Sequence, residues 1–316
     1  MITSRDSRSL PPPGQATVLA TGLGFTEGPI VLDGNTLAVA SVNRGTVYRL
    51  GLDGGDPEPL IDCGGGPNGL ALGTGGEIHI AQNGATAMPS RSSVPAVPSI
   101  QTLAGDRLTS PSDHRVDAPS DCVTGPDGLL WFTDPADHVM EGPGKPGRVR
   151  TWDPASGRIE TRLHGLMFPN GIAFGADPAE LYVAETSARV VRRYQATATG
   201  ATADGWCAEI PRGHPDGIAV DAEGWLWVAG SRGNNIMAFD RSGRLREDID
   251  LGEGMFATSL CFAGPGLEHL VVTSPKRGSV LLLRPPHPGL PLPVWRPHLP
   301  GRTVPGQRRQ PTGDRP

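Results

Sequence analysis

A motif of about 16 residues recurs six times along the chain. Each copy opens on a polar residue and continues through a short apolar strand, a turn rich in Gly, Asp or Pro, and a second apolar strand. The copies are TEGPIVLDGNTLAVAS (26–41), PNGLALGTGGEIHIAQ (67–82), PSDCVTGPDGLLWFTD (119–134), PNGIAFGADPAELYVAE (169–185), PDGIAVDAEGWLWVAG (215–230) and TSLCFAGPGLEHLVVTS (258–274). Equivalent positions lie 41, 52, 50, 46 and 43 residues apart.

The segments between the copies hold a second pair of strands, such as GTVYRLG (45–51) and EPLIDC (58–63). A period of 40 to 50 residues with four short strands is typical of a β-propeller blade. A helical solenoid has a similar period, but the alternation of apolar residues and the Gly-rich turns favour strands. The sequence therefore predicts an all-β fold, a six-bladed β-propeller with four-stranded blades over residues 16–284.

The last copy is followed by one strand too few to complete a blade. We therefore expect the N-terminal segment ATVLA (16–20) to close the sixth blade from its outer edge, which also hides a sheet edge. Residues 1–15 are expected to be a flexible N-terminus. Residues 285–316 hold 10 prolines and predict an extended tail, with Leu290, Leu292 and Trp295 resting on the propeller. Residues 83–97, between two strands of blade 2, are a candidate lid.

The formal net charge is −5, with only two lysines, which argues against a nucleic-acid or anionic membrane surface. The chain has no apolar run of membrane-spanning or signal-peptide length. Its four cysteines (Cys63, Cys122, Cys207, Cys261) are scattered and are expected to be buried free thiols. We expect a soluble cytoplasmic protein, a monomer or weak homo-oligomer, whose partner is a small molecule.

The polar residues that open the six copies should form a ring at one mouth of the central channel, because the first strand of each blade lines that channel. The ring contains two carboxylates, two amides and two hydroxyls: Glu27, Asn68, Ser120, Asn170, Asp216 and Ser259. An all-oxygen set with two negative charges suits a hard divalent cation, Ca²⁺ first and then Mg²⁺ or Mn²⁺. Zn²⁺ stays open, although the lack of His and Cys argues against it.

A cation would also relieve the repulsion between the two carboxylates, which otherwise raises their pKa values. The alternative is that these residues cap turns and bind ordered water in the channel. That alternative accounts for Asn68 and Ser259, but it accounts poorly for Glu27, because Glu is a weak turn former.

Four motifs of the ring strands are the most specific: EGP at Glu27, FPNGIAF at Asn170, PDGIAVDAEGWLWVA at Asp216 and the late TSLCFAGPG. In these motifs the chain resembles the gluconolactonase and regucalcin (senescence marker protein) family of six-bladed propellers. It is more distantly similar to diisopropylfluorophosphatase. The resemblance covers residues 16–284. It implies a Ca²⁺ or similar ion held by Glu27, Asn170 and Asp216, with hydrolysis of lactones or related esters at that ion. Relatives usually read PND where this chain has Pro119, Ser120 and Asp121, which puts the substrate range in doubt.

Ca²⁺ acidifies bound water less than Zn²⁺ does, so a carboxylate base is needed, and Asp216 is the candidate catalytic residue. Polar residues around the mouth are the candidates for substrate binding: Ser120, Asn68, Asn83, Asp134 and Glu185. His138 and His214 could shuttle protons, although simple solvent exposure is the more common explanation for a lone loop histidine. Arg91 in the candidate lid could bind a substrate carboxylate. Trp131, Trp225 and Trp227 are assigned to second-strand positions and are expected to pack between blades.

The sequence therefore predicts a metal-dependent hydrolase that opens a lactone to a hydroxy acid. Ser120 keeps open a different reaction on the same scaffold, such as phosphotriester hydrolysis or a biosynthetic cyclisation. A calcium-binding or protein-binding propeller without turnover is the third hypothesis, since a fold alone does not determine a function.

Overall fold

The computed structural model describes residues 2–3, 15–110, 116–142 and 144–292, and the regular secondary structure of these residues is almost entirely β-strand. Two short strands, β1 (Ile2–Thr3) and β2 (Ala16–Ala20), precede the repeats. Blade 1 then consists of β3 (Thr26–Asp33), β4 (Thr36–Ser41), β5 (Thr46–Gly51) and β6 (Glu58–Asp62), with a 3₁₀ turn η1 (Val42–Arg44) after β4.

The next three blades have the same four-stranded order. Blade 2 is formed by β7 (Pro67–Leu72), β8 (Ile78–Gln82), β9 (Ser99–Ala104) and β10 (Arg107–Thr109). Blade 3 is formed by β11 (Cys122–Thr124), β12 (Leu130–Asp134), β13 (Pro146–Trp152) and β14 (Ile159–Met167). Blade 4 is formed by β15 (Pro169–Phe174), β16 (Glu180–Glu185), β17 (Val190–Ala196) and β18 (Ala201–Glu209).

Blade 5 is formed by β19 (His214–Val220), β20 (Leu226–Ser231), β21 (Asn235–Phe239) and β22 (Leu245–Asp250). Blade 6 contains β23 (Leu260–Ala263), β24 (His269–Ser274) and β25 (Ser279–Leu283), with a 3₁₀ turn η2 (Lys276–Gly278) before β25. The innermost strands β3, β7, β11, β15, β19 and β23 contact one another in a closed circle. The protein is a six-bladed β-propeller, as predicted.

The ring is closed by joining the two ends of the chain in blade 6. Strand β2 pairs antiparallel with β25, with Thr17 opposite Leu282. The predicted role of residues 16–20 is therefore confirmed. Strand β1 adds a parallel fifth strand outside β2, so this blade is wider than the four strands expected.

The hydrophobic core lies between the blades. The second strands β4, β12, β20 and β24 are buried on both faces, which explains why they read as nearly continuous apolar runs. Trp131 of blade 3 packs edge-on against Phe174 of blade 4, with ring centroids 5.6 Å apart, and Trp227 of blade 5 packs against Phe262 of blade 6 at 6.3 Å. These aromatic pairs fix how adjacent blades are oriented.

The segment after β25 crosses the far end of the channel. The N–H of Gly289 donates to the carbonyl of Leu267, and the N–H of Leu290 donates to the carbonyl of Val220. Leu290 and Leu292 line the channel there. The rest of the tail, including Trp295, lies outside the described residues.

All four cysteines are free, as expected. Cys63 and Cys122 are buried and Cys261 is partly buried, but Cys207 is exposed. The expectation of a buried thiol is wrong for Cys207 because it lies on β18, the outermost strand of its blade. Within the described residues, no helix has the length and apolar composition needed to span a bilayer.

Candidate functional site: a ring of oxygen ligands at the channel mouth

The six predicted ring residues lie at the starts of the six innermost strands, at one mouth of the channel. Five of them are nearly buried, with 2–9% of the residue surface exposed (Glu27, Ser120, Asn170, Asp216 and Ser259), and Asn68 is half-buried. Side chains link across the blades. The amide nitrogen of Asn68 donates to Ser120 Oγ at 3.5 Å, and Ser120 Oγ donates to Asn170 Oδ1 at 3.1 Å. Asn170 in turn hydrogen-bonds with the carboxylate of Asp216.

A repeated β-bulge aims these side chains. In blades 2, 4 and 5, two residues of the innermost strand face one residue of the second strand. The bulged residues are Asn68 and Gly69, Asn170 and Gly171, and Asp216 and Gly217. In blade 1 the register shifts directly after Glu27. A bulge re-aims a side chain at a functional site, so the same local distortion brings an amide or carboxylate to the axis in each of these blades.

The glycine that follows each of these ring residues is required by close contact between blades. A Cβ at Gly171 would overlap the backbone carbonyl of Asp216, and a Cβ at Gly28 would overlap the backbone of Asn68. Gly28 also has φ 44°, which glycine adopts without strain. The motifs EG, NG and DG therefore combine a polar ring residue with the small residue that lets neighbouring blades approach.

Three carboxylates interact at the mouth. Burial and the nearby charges of Asp216 and Asp121 raise the pKa of Glu27 well above its usual range. Burial, then the charge of Asp121, raises the pKa of Asp216 in the same way, against hydrogen bonds from Ser231 and Asn170 that lower it. Burial raises the pKa of Asp121 to about 7, although its carboxylate accepts a hydrogen bond from the N–H of Cys122 at 2.8 Å. The site therefore favours a proton or a cation.

Asp121 is the carboxylate that our sequence reasoning did not assign to the site. It follows Ser120 directly and lines the channel just below the ring. Its place in the motif PSD, where four of the other five copies have Gly after the ring residue, was the available signal.

In the part of the chain that the structure describes, there is no group of three or more His, Cys, Asp or Glu side chains placed to hold a metal ion. An ion at the ring would therefore need amide oxygen in addition to carboxylates. The ring supplies this mixture, because Asn170 lies in hydrogen-bonding contact with Asp216, and Glu27 interacts with Asp216 through its charge. Carboxylate and amide oxygens are ligands that Ca²⁺ accepts.

The other predicted mouth residues are already engaged by the protein. Asp134 accepts hydrogen bonds from the N–H groups of Asp117 and Ala118, both at 2.9 Å, and from Arg150 at 3.0 Å. Glu185 accepts from the N–H of Met167 at 2.8 Å and pairs with Arg192. Both carboxylates therefore stabilise the segments around them through these contacts.

Asn83 opens the 83–97 connection and is buried. Its Oδ1 accepts from the N–H of Ala85 at 2.9 Å, while its Nδ2 has no partner among the described residues. The connection lies on the mouth face, because β8 runs antiparallel to β7 and ends beside its start. Its contacts are made with blade 1, where Arg91 N–H donates to Asn43 and Ser92 Oγ donates to Asp62. Closure of this loop over the ring stays a prediction.

The two candidate histidines are less exposed to solvent than is usual for a histidine in a loop. His138 packs edge-on against Phe168, which precedes the PNG motif of blade 4, with ring centroids 5.4 Å apart. Burial lowers the pKa of His138. His214 is buried, with Nδ1 3.0 Å from the carbonyl oxygen of Thr186 and Nε2 3.6 Å from Glu141.

The fold and the site together define a six-bladed propeller with buried, oxygen-bearing side chains and paired carboxylates at one channel mouth. Residues 25–276 match the family model described as the SMP-30/Gluconolactonase/LRE-like region. The chain belongs to this family.

Individual relatives differ in their names. The chain is 34% identical over 178 residues to pentonolactonase XacC of Haloferax volcanii, covering 54% of this chain and 58% of that protein. It is 28% identical over 188 residues to strictosidine synthase-like protein 6 of Arabidopsis thaliana, covering 54% and 46%. The chain thus spans about half the length of these curated relatives.

Solved structures support the fold. The calcium-binding protein regucalcin from Agrobacterium tumefaciens aligns with a TM-score of 0.67 at 20% sequence identity, covering 89% of this chain and 94% of that one.

Proposed function

We propose that the protein is a lactone hydrolase that uses a divalent cation, Ca²⁺ foremost, at the mouth of the propeller channel. The observation that carries the proposal is that two buried carboxylates with raised pKa values, Glu27 and Asp216, interact through their charges at one mouth, where Asn170 hydrogen-bonds with Asp216. Similarity to a protein named pentonolactonase supports lactones as the substrate class.

Glu27, Asn170 and Asp216 are the residues that would hold the cation. Each of them is held in place because it lies at the start of an innermost strand, and because that strand packs against the neighbouring blades. When bound, the cation would polarise the lactone carbonyl and stabilise the charge that develops on its oxygen. Glu27 is expected to contribute most to affinity, since burial and the charges of Asp216 and Asp121 disfavour its ionised form unless a cation is bound.

Asp216 is proposed as the general base that takes a proton from the attacking water. Its raised pKa gives it the proton affinity that this role needs. Its hydrogen bonds with Ser231 and Asn170 hold the carboxylate in position. The proton would then pass to the alkoxide that leaves when the ring opens.

Asn68 and Ser120 are proposed to bind substrate hydroxyls. Both lie in the hydrogen-bonded row that ends at Asn170, and Asn68 is half-buried at the mouth. Asn83 has an unused amide N–H group and is proposed as a further donor from the loop. Asp134 and Glu185 would reach a substrate only by giving up their present partners, so their contribution would be to keep the mouth in shape.

The test is hydrolysis of a panel of pentono-, hexono- and simple γ-lactones by the full chain, before and after EDTA and after adding back Ca²⁺, Mg²⁺ or Mn²⁺. We expect ring opening that EDTA abolishes and Ca²⁺ restores. Full activity in EDTA would contradict the cation, and inactivity on every lactone with every metal would contradict the reaction.

A second reaction on the same ring is favoured by one observation. Ser120 stands where the family resemblance implies an Asn, and its hydroxyl donates a hydrogen bond to Asn170 Oδ1. If the lactone panel fails, turnover of phosphotriesters, or of phosphorofluoridate diesters such as diisopropyl fluorophosphate, is the assay that would detect this alternative.

A further inference from the structure

Three arginines meet in an open pocket on the mouth face, where blade 1 adjoins blade 6. They are Arg44 of η1, Arg91 of the 83–97 connection and Arg277 of η2. The pocket has a volume of about 600 Å³, counting the open solvent within it. The three residues are far apart in the sequence, so tertiary structure brings them together.

The backbone of the protein holds two of these arginines in place. The N–H of Arg91 donates to the carbonyl of Asn43 at 2.8 Å. The carbonyl of Arg277 accepts from the N–H of Gly22 at 2.6 Å. Both side chains are exposed, so their guanidinium groups are available to a ligand.

Arg44 forms the floor on the blade 1 side. Its guanidinium lies against Gly24, where an added Cβ would be 3.2 Å from Nε. One of its N–H groups donates to the hydroxyl of Tyr48 at 3.1 Å. A neutral partner leaves the full positive charge of Arg44 in the pocket.

No carboxylate neutralises this pocket within the described part of the chain. The arginine ion pairs found there involve other residues, in blades 1, 3, 4 and 5. Asp62, the acid beside the loop, accepts hydrogen bonds from Ser92 Oγ at 2.7 Å and Gly64 N–H at 3.1 Å instead. Three uncompensated guanidiniums in one concavity attract anions.

The pocket adjoins the carboxylate ring. Phe25 lines it, and Phe25 stands two residues before Glu27. Two residues span at most about 7 Å of extended chain. The pocket therefore lies beside the blade 1 strand that carries Glu27, on the same face as the ring.

We infer that this arginine pocket binds the terminal sulfonate or phosphate of an anionic lactone while the lactone group lies at the carboxylate ring. The inference rests on the proposed lactone hydrolase function and specifies its substrate class. A tetrahedral oxyanion offers three acceptor oxygens, which matches donors arriving from three segments, and guanidinium forks bind such groups with paired hydrogen bonds. A neutral lactone would leave these charges without a counterpart.

The test compares two aldonolactones that differ only in a terminal hydroxyl or a terminal sulfonate, with a terminal phosphate as a third arm. The variants are Arg91→Gln and Arg277→Gln. The control is Arg107→Gln, an exposed arginine on the outer strand β10. We expect the wild type to prefer the anionic lactones, and the ratio of kcat/KM for anionic over neutral lactone to fall about tenfold or more in each pocket variant. The control should keep the wild-type ratio.

A second readout does not depend on turnover. Titration of wild type, both pocket variants and the control with inorganic sulfate by calorimetry measures anion binding directly. We expect Kd to rise about tenfold or more in Arg91→Gln and Arg277→Gln and to stay unchanged in the control.

The outcomes separate the two proposals. Equal sulfate affinity in all four proteins would overturn the anion pocket. Weaker sulfate binding in the variants, with no anionic preference in wild-type hydrolysis, would overturn its role as a substrate subsite. Weaker sulfate binding together with inactivity on every lactone would support the pocket and contradict the hydrolase.

Discussion

The two ends of the channel differ in every physical property that matters for function. At one mouth, Glu27, Asp121 and Asp216 share a buried site in which each carboxylate has a raised pKa. At the other end, Leu290 and Leu292 close an apolar channel. The same innermost strands run from one end of the channel to the other. The difference therefore arises from which residues lie at the start and at the end of each strand.

This contrast explains the electrostatics of the mouth. The channel below the ring is lined by apolar side chains such as Ile172, Ile218 and Leu260, which solvate charge poorly. Desolvation is accordingly the largest cause of the raised pKa values of Glu27 and Asp216. The apolar end therefore prepares the polar end to bind a cation or a proton.

The largest expected effect is on turnover at the mouth. Asp216→Asn should lower kcat by about 10² to 10⁴, the usual loss when a general base is removed. Asp106→Asn, in the exposed turn between β9 and β10, is the matched control and should keep wild-type kcat. Steady-state kinetics at saturating Ca²⁺ measures both. Near wild-type kcat in Asp216→Asn would remove the base from this position.

The next effect is on stability against pH in the presence of EDTA. The pKa of Asp121 is about 7 in the folded protein against 3.8 for the ordinary group. A carboxyl with a raised folded pKa binds its proton more tightly in the native state, so its contribution to stability is lost as pH rises from about 4 to 7. The loss assigned to Asp121 is up to about 4 kcal/mol.

Chemical denaturation of wild type and Asp121→Asn between pH 4 and pH 8 measures this loss. The difference in unfolding free energy between the two proteins should shift in favour of Asp121→Asn as pH rises. A difference that is constant over this range would show that Asp121 does not titrate abnormally.

The smallest effect belongs to the apolar end. A Cβ at Gly289 would overlap the Phe262 side chain, so Gly289→Ala should displace the segment that carries Leu290. We expect a loss of about 1–3 kcal/mol in unfolding free energy, as for overpacked sites, with kcat nearly unchanged. At Gly34 an added Cβ meets only Pro265 at 3.8 Å, and Gly34→Ala is therefore the control. A large drop in kcat with unchanged stability would contradict the division of roles between the two ends.

The sequence was sufficient for the blades, the ring and the closure by residues 16–20, because the repeat aligns equivalent strand starts without any knowledge of packing. It was not sufficient for Asp121, whose role depends on how Gly69 of the neighbouring blade packs against it. Nor could it place Arg44 and Arg277 beside Arg91, because contacts between distant loops leave no periodic signal. The sequence predicted that Leu290 and Leu292 pack on the propeller. Only the folded structure shows that they do so at the far end of the channel.

The central claim is that the ring holds a cation through Glu27. Calorimetric titration of the EDTA-treated protein with Ca²⁺ tests it most directly, comparing wild type, Glu27→Gln and Glu58→Gln, a surface carboxylate paired with Arg49. The account predicts one Ca²⁺ bound by wild type and by Glu58→Gln, and none measurable in Glu27→Gln. Equal Ca²⁺ affinity in Glu27→Gln and wild type would contradict it.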